Sequence, residues 1–192
     1  MPHIVLASKS PRRHELLRRM GITDFSVVVP EVEETYPEGL EPEEIVAHIS
    51  RLKSDAAAKL VGQDDILITA DTMVFLDTAR LGKPHDEAEA LKMLTALSGR
   101  RHTVCTGVRV RQSARVEAFT VATDVYFRAC TQEELRGYIA TGEPMDKAGA
   151  YGVQGLGALF VERIDGDYYN VMGLPVERLG QCLSRGFGIK FF

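Results

Sequence analysis

Helix-period and strand-period segments alternate through the first part of the chain, and this alternation restricts the fold more than any other property of the sequence. A short apolar run, His3 to Ala7, has the length of a strand. Ser10-Pro11 follows as an N-cap with proline at the first helical position, and Gly21 ends the helix they begin. Phe25 to Val29 reads as a second strand. From Glu41 to about Val61, the apolar residues Ile45, Ile49, Leu52, Ala56 and Leu60 recur at spacings of three and four, which predicts an amphipathic helix stopped by Gly62. Lys53 lies four residues after Ile49, beside that stripe. Asp65 to Thr69 is a β-prone run that delivers Ala70-Asp71-Thr72 at its carboxyl end, and Val74 to Leu76 continue or restart the strand.

Further along, Asp86 with Glu89 starts a helix that Ser98-Gly99 closes. His102 to Arg111 and Glu117 to Phe127 alternate around a polar turn and predict an antiparallel pair. Thr131 and Glu134 cap another helix, which ends at Gly142. A glycine-rich stretch, Gly149 to Gly157, precedes an expected hairpin of Ala158 to Arg163 and Tyr168 to Met172, turning at Asp165-Gly166. Pro175 starts the last helix. Early alternation followed by hairpins predicts an α/β fold with a mixed central sheet flanked by helices, rather than a purely parallel sheet.

Composition sets outer limits. At 192 residues and 45% hydrophobic content, the chain can build one sizeable core, so residues 1–192 are expected to form a single domain. No apolar run approaches the roughly 20 residues a membrane helix needs, and His3 to Ala7 is too short for a signal-peptide core. Cys105, Cys130 and Cys182 are odd in number and far apart, which fits neither a disulfide framework nor a zinc site and suggests a cytoplasmic setting. The formal charge, 23 basic against 27 acidic residues or −4, makes a general nucleic-acid binder a poor reading, although Arg12, Arg13, Arg18 and Arg19 cluster locally.

Ser8-Lys9-Ser10-Pro11-Arg12-Arg13 places hydroxyls and cations at a helix start. Arginines there oppose the helix dipole by about 0.3–1 kcal/mol each, so they make sense where an anion such as a polyphosphate docks; a solvated basic face is the plainer alternative. Asp71, at the end of a buried strand, suits a metal ligand or a group that takes a proton from water, but also an ordinary turn residue. Glu33 and Glu34 form an acidic pair of the kind that holds a divalent cation together with substrate phosphates, or a solvated loop. Lys83, in the constrained turn Gly82-Lys83-Pro84, is placed to reach a phosphate. It is not part of a P-loop, because Asp77 and Pro84 stand where glycine and a hydroxyl are required. Gly152, Gly155 and Gly157 fail the dinucleotide-binding spacing, since Phe160 occupies the third place. The five histidines form no His-Glu-x-x-His pair, and no Gly-x-Ser-x-Gly elbow is present. Dispersed cations with a few carboxylates match what phosphoanhydride cleavage requires.

Over about Ile4 to Val176 the sequence resembles the Maf family of nucleoside triphosphate pyrophosphatases. The resemblance rests on Leu6-Ala7-Ser8-Lys9-Ser10-Pro11-Arg12-Arg13, Ala70-Asp71-Thr72, Gly82-Lys83-Pro84, Leu97-Ser98-Gly99 and the run from Tyr138 to Gly157. It implies a Maf/ITPase-like α/β fold of two lobes with a cleft between them, often as a homodimer. It also implies hydrolysis of a nucleoside triphosphate to the monophosphate and pyrophosphate with a divalent cation, Mg²⁺ or Mn²⁺. By resemblance Asp71 is the general base and Glu33 belongs to the active site; Glu33 and Asp71 are the metal ligands expected from their chemistry. Ser8, Ser10, Arg12, Arg13, Lys53, Thr72, Lys83 and Gln154 bind substrate, and Arg12, Thr72 and Gln154 tune its choice. Asp146 to Gly155 is similar to the branch acting on dTTP and UTP and less so to the branch acting on 7-methyl-GTP. The Gln154 amide, which donates and accepts in one plane, suits the edge of a uracil or thymine ring. The partner expected is therefore a nucleoside triphosphate, with no nucleic acid and no membrane. The rival of another class is a non-catalytic regulator of cell division that senses nucleotides.

Overall fold

The apolar N-terminal run forms strand β1 (Ile4–Ala7), with all four side chains buried. Its partners on either side are parallel: β2 (Phe25–Val28), with Ile4 opposite Phe25, and β3 (Ile66–Leu76), with Ile4 opposite Ile66. Parallel neighbours need crossovers, and these are the helices α1 (Pro11–Arg19) and α2 (Pro42–Ala57) that the early alternation predicts. The computed structural model describes residues 2–192. The remaining strands are β4 (Ala79–Leu81), β5 (Arg101–Gln112), β6 (Arg115–Phe127) and β7 (Val161–Asp165). The mixed sheet runs in the order β2-β1-β3-β5-β6-β7, with β4 paired antiparallel to β3. Helices α3 (Glu87–Leu97), α4 (Gln132–Ile139), α5 (Tyr168–Met172) and α6 (Val176–Phe187) complete the chain.

Two compact units divide these elements. Unit 1 comprises residues 1–71, 106–121 and 173–192; unit 2 comprises 72–105 and 122–172, so β3, β5 and β6 each contribute to both. Within unit 1, α1 begins at Pro11 after the extended Ser10 and carries no acidic residue in its first turn. Leu16 and Leu17, both fully buried, outweigh that electrostatic disadvantage, since each contributes about 1.5–3 kcal/mol against about 0.3–1 kcal/mol for a misplaced charge. Helix α2 starts with the Glu41 backbone N–H donating to Glu44 Oε2 at 2.9 Å. It lies directly over Gly107 of β5, where a Cβ would come within 2.4 Å of the Val46 carbonyl oxygen. Val5, Ala7, Ala57 and Leu67 close the core between α2 and the sheet.

Three expectations are corrected. The segment around Asp71 is not a strand end: β3 runs unbroken for 11 residues, with Asp71 near its middle. A polar residue does not interrupt a strand when its side chain finds a partner and the flanking Met73 to Leu76 are apolar and buried. Tyr168 to Met172 form α5 instead of a hairpin strand. Asp167 Oδ1 accepts the N–H groups of Tyr169 (2.7 Å) and Asn170 (3.2 Å), a capping arrangement that favours a helical turn over a second hairpin strand. Strand β7 pairs antiparallel with β6 instead, Asp124 opposite Asp165. At α3, Asp86 caps through Glu89 N–H as expected, but the Glu89 carboxylate reaches His85 N–H at 2.7 Å rather than that of Asp86.

Unit 2 packs an aromatic cluster of Phe127, Tyr138, Tyr151 and Phe160 around His102. His102 is 1% exposed; its Nε2 meets Tyr151 Oη at 2.7 Å while Nδ1 is buried without a partner. Burial pushes its pKa down to about 4, against a weaker upward pull from Asp124. The unfolded chain therefore binds a proton that the native state refuses between pH ~6.5 and ~4. Stability contributed by neutral His102 is intact above pH ~6.5 and is lost as pH falls toward 4, by roughly 3 kcal/mol. Denaturant titrations should show that His102→Gln flattens the stability profile between pH 6.5 and 4.5; an unchanged slope would contradict this assignment. Cys105 and Cys182 are buried and Cys130 is half-buried, and among the described residues no helix is long and apolar enough to cross a membrane.

Candidate active site

Matched spacings on α2 and β3 build the centre of the site in unit 1. Side chains two apart on a strand share a face, and side chains three apart on a helix do too. Thr69 and Asp71 on β3 accordingly meet Ser50 and Lys53 on α2. Thr69 Oγ1 donates to the Ser50 carbonyl (3.3 Å) and to the Arg109 carbonyl (3.2 Å), and Lys53 Nζ donates to Asp71 Oδ1 at 2.6 Å. The same ammonium contacts Glu34 Oε1 at 2.8 Å, so one cation bridges two carboxylates. Asp71 is 5% exposed, and its second oxygen, Oδ2, is buried with no hydrogen-bond partner. An unsatisfied buried oxygen costs about 1–3 kcal/mol, more when charged. A fold that holds Oδ1 firmly and leaves Oδ2 unsatisfied keeps a proton acceptor in a fixed orientation.

The start of α1 is tied to this centre by Arg13. Its Nε donates to the Gly173 carbonyl (2.8 Å) and its Nη1 to the Ala70 carbonyl (2.8 Å) and Ser8 Oγ (3.3 Å). Ser8 Oγ also accepts the Ser10 N–H at 3.2 Å, and His14 Nε2 lies 2.8 Å from the Ser8 carbonyl oxygen. Burial holds the Arg13 pKa below its ordinary value; Asp71 offsets part of this, Arg12 adds to it, and Glu34 opposes it. Arg13 thus fastens the ends of β1 and α1 to the residue preceding Asp71. Arg12 is half-buried and Ser10 likewise, while Glu33 is exposed.

In unit 2, Thr72 directly follows Asp71 on β3 and is half-buried, and Lys83 is exposed beside the buried Pro84. The Gly82 carbonyl accepts the Gly149 N–H at 3.0 Å, which joins the lysine's turn to the glycine-rich segment carrying the exposed Gln154. Gly149 needs its lack of a side chain here: its φ is +70°, and a Cβ would meet Val74 at 3.1 Å.

Of the residues selected from the sequence, the structure brings Ser8, Arg13, Lys53 and Asp71 together in unit 1, and Lys83 and Gln154 onto connected segments of unit 2. Sequence reasoning had set Glu33 above Glu34, yet Glu34 is the one on Lys53. It also missed Glu143, described below, whose only signal was a charged residue preceding the glycine-rich stretch. Among the described residues no group of three or more His, Cys, Asp or Glu could hold a metal by itself.

The mixed sheet flanked by helices is shared with a protein of known structure. The fold is similar to that of a HAM1 protein from Coxiella burnetii, with a TM-score of 0.53 at 16% identity, covering 97% of this chain and 100% of that one. The chain belongs to the Maf family: the Maf-like protein description matches residues 3–186. Its relatives include the dTTP/UTP pyrophosphatase of Alkaliphilus metalliredigens, 44% identical over 99% of each chain. The protein of the same name from Vibrio vulnificus is 46% identical over 95% of this chain and 98% of its own. That of Bacillus cereus is 48% identical over 96% of this chain and 90% of its own.

Proposed function

We propose that this protein is a dTTP/UTP pyrophosphatase, cleaving the α–β linkage of a pyrimidine nucleoside triphosphate to give the monophosphate and pyrophosphate. The observation that carries this reading is the Asp71 carboxylate, with Oδ1 clamped by Lys53 and Oδ2 buried without a partner, in a chain whose relatives bear that name. The Asp71 carboxylate takes a proton from water as the water oxygen bonds to phosphorus, the bridging P–O bond breaks, and its electron pair leaves with pyrophosphate. Lys53 keeps the carboxylate oriented. Ser8, Ser10, Arg12, Arg13 and Lys83 bind phosphate oxygens, Arg13 also through its fastening of the β1 end, and Thr72 and Gln154 take part in choosing the base.

The acidic residues fit a divalent cation shared with substrate. Hard cations are commonly held by one or two carboxylates plus phosphate oxygens rather than by an all-protein cage, and Asp71 and Glu34, both in contact with Lys53, offer two such carboxylates, with Glu33 next to Glu34 in the chain. Mg²⁺ or Mn²⁺ held there would supply charge neutralisation on the polyphosphate. The same reading takes the working form as a cytoplasmic homodimer.

A panel of dTTP, UTP, CTP and 7-methyl-GTP, assayed for pyrophosphate with Mg²⁺ and again after chelation, tests the proposal. Preferential release from dTTP and UTP, lost on chelation and restored by added cation, is the expected outcome. Preference for 7-methyl-GTP, or no turnover of any triphosphate, would contradict it.

A further inference from the structure

The glycine-rich segment of unit 2 is wrapped around one carboxylate. Glu143 Oε1 accepts the Tyr138 hydroxyl at 2.9 Å and the Gly157 N–H at 3.1 Å, and Oε2 accepts the Leu156 N–H at 2.9 Å. Tyr138 Oη in turn accepts the Gly152 N–H at 3.2 Å. Lys147 Nζ, donating to the Glu143 carbonyl at 2.7 Å, closes the other side. Both ends of the Gly152–Gly157 turn are therefore anchored, directly or through Tyr138, on Glu143.

The glycines record how closely the chain approaches. A Cβ on Gly155 would stand 2.5 Å from Glu143 Oε1, one on Gly152 2.7 Å from Lys147 Cε, and one on Gly157 2.7 Å from the Gly152 carbonyl oxygen and 2.8 Å from Tyr138 Oη. Only glycine lets the backbone close over the carboxylate at these places. Burial alone would raise the Glu143 pKa, but the Leu156 and Gly157 N–H groups, the Tyr138 hydroxyl and the Lys147 charge outweigh it and hold the group below the ordinary carboxylate value. Gln154, exposed, sits between Gly152 and Gly155.

We infer that Glu143 is a positioning residue for base selection: by anchoring the Gly152–Gly157 turn it fixes the direction in which the Gln154 amide is presented to a pyrimidine ring. The inference rests on the proposed reading of Gln154 as a base-selecting residue. Glu143 touches no substrate in this scheme. Its effect passes through backbone geometry, and a planar two-point contact loses discrimination when its amide can rotate or shift.

The test uses the full-length protein and three variants, Glu143→Gln, Gln154→Ala and the double variant, with UTP and CTP as substrates. Glu143→Gln keeps the shape of the side chain but turns an acceptor into a donor facing a backbone N–H. Expected are a roughly tenfold loss in the UTP-over-CTP ratio of kcat/KM, with KM for UTP rising more than kcat falls. Amide hydrogen exchange at Leu156 and Gly157 should accelerate by about tenfold. Glu143→Gln added to Gln154→Ala should lower selectivity no further, since both act through one contact. Tyr138→Phe, which removes a single donor from the carboxylate, should give a smaller change of the same kind and serves if Glu143→Gln folds poorly. If Gln154→Ala loses selectivity while Glu143→Gln keeps it, or if the two losses add, the positioning role is overturned and the reading of Gln154 stands. If Gln154→Ala keeps wild-type selectivity, that reading fails and the inference falls with it.

Discussion

Asp71→Asn should lower pyrophosphate release from UTP by about 10³-fold, the middle of the range attributed to a positioned general base, while the protein stays folded. The substitution removes the only group in the scheme that accepts the water proton and changes little else. Lys53 retains Glu34 at 2.8 Å, so its charge is not stranded, and Asn is close in volume to Asp. Oδ2 is unsatisfied in the native protein, so its loss as a charged oxygen removes a cost. Thermal unfolding of Asp71→Asn should accordingly fall within a few degrees of wild type. A variant that turns over at the native rate would remove Asp71 from the chemistry; one that fails to fold would assign it to structure.

Gly107→Ala carries the largest expected cost in stability. The added methyl group would lie 2.4 Å from the Val46 oxygen, 2.5 Å from its carbonyl carbon and 2.8 Å from the Ala47 nitrogen. Those are backbone atoms of α2 and cannot rotate aside, so the helix must lift from the sheet. We expect destabilisation of about 3 kcal/mol, a fall in Tm of roughly 6–12 °C for a chain of this size. Activity should fall at temperatures where the variant is still folded, because α2 also carries Lys53 to Asp71. Gly137→Ala is the contrast. It lies in α4 with nothing within 4 Å of the added carbon, so it should be neutral or stabilising by up to about 1 kcal/mol. Calorimetry that ranked the two glycines equally would contradict the close seating of α2.

Local signals made much of the fold legible. The strand at Ile4–Ala7, the helix start at Pro11, the amphipathic stripe of α2, the Thr131-Glu134 cap and the β5–β6 pair follow from short-range signals, although Ser10 makes no side-chain capping bond. What failed was competition between local signals. Ala70-Asp71-Thr72 looked like punctuation because a charged residue seldom sits inside a buried strand. It does so here because Lys53, 18 residues earlier, supplies a partner that spacing along the chain cannot announce. Tyr168 to Met172 follow the Asp165-Gly166 turn where a second hairpin strand was expected, yet the Asp167 carboxylate caps them into a helix.

The site was legible as a set of residue types and much less as a set of contacts. Arginines in a first helical turn pointed to an anion. Arg13 meets the Ala70 and Gly173 carbonyls, a fastening between residues 57 and 160 positions away in sequence. Choosing between Glu33 and Glu34 depends on which side of an irregular segment faces Lys53, and no periodicity governs that. Glu143 was equally hidden, since three glycines explain its setting only when their missing side chains are seen against its carboxylate.

Phosphorus NMR of UTP incubated with the full-length protein and Mg²⁺, beside Asp71→Asn under the same conditions, tests the central claim most directly. The account predicts one pyrophosphate for every UMP from the native protein and unchanged UTP with the variant. Orthophosphate with UDP, or equal turnover by both proteins, would contradict it.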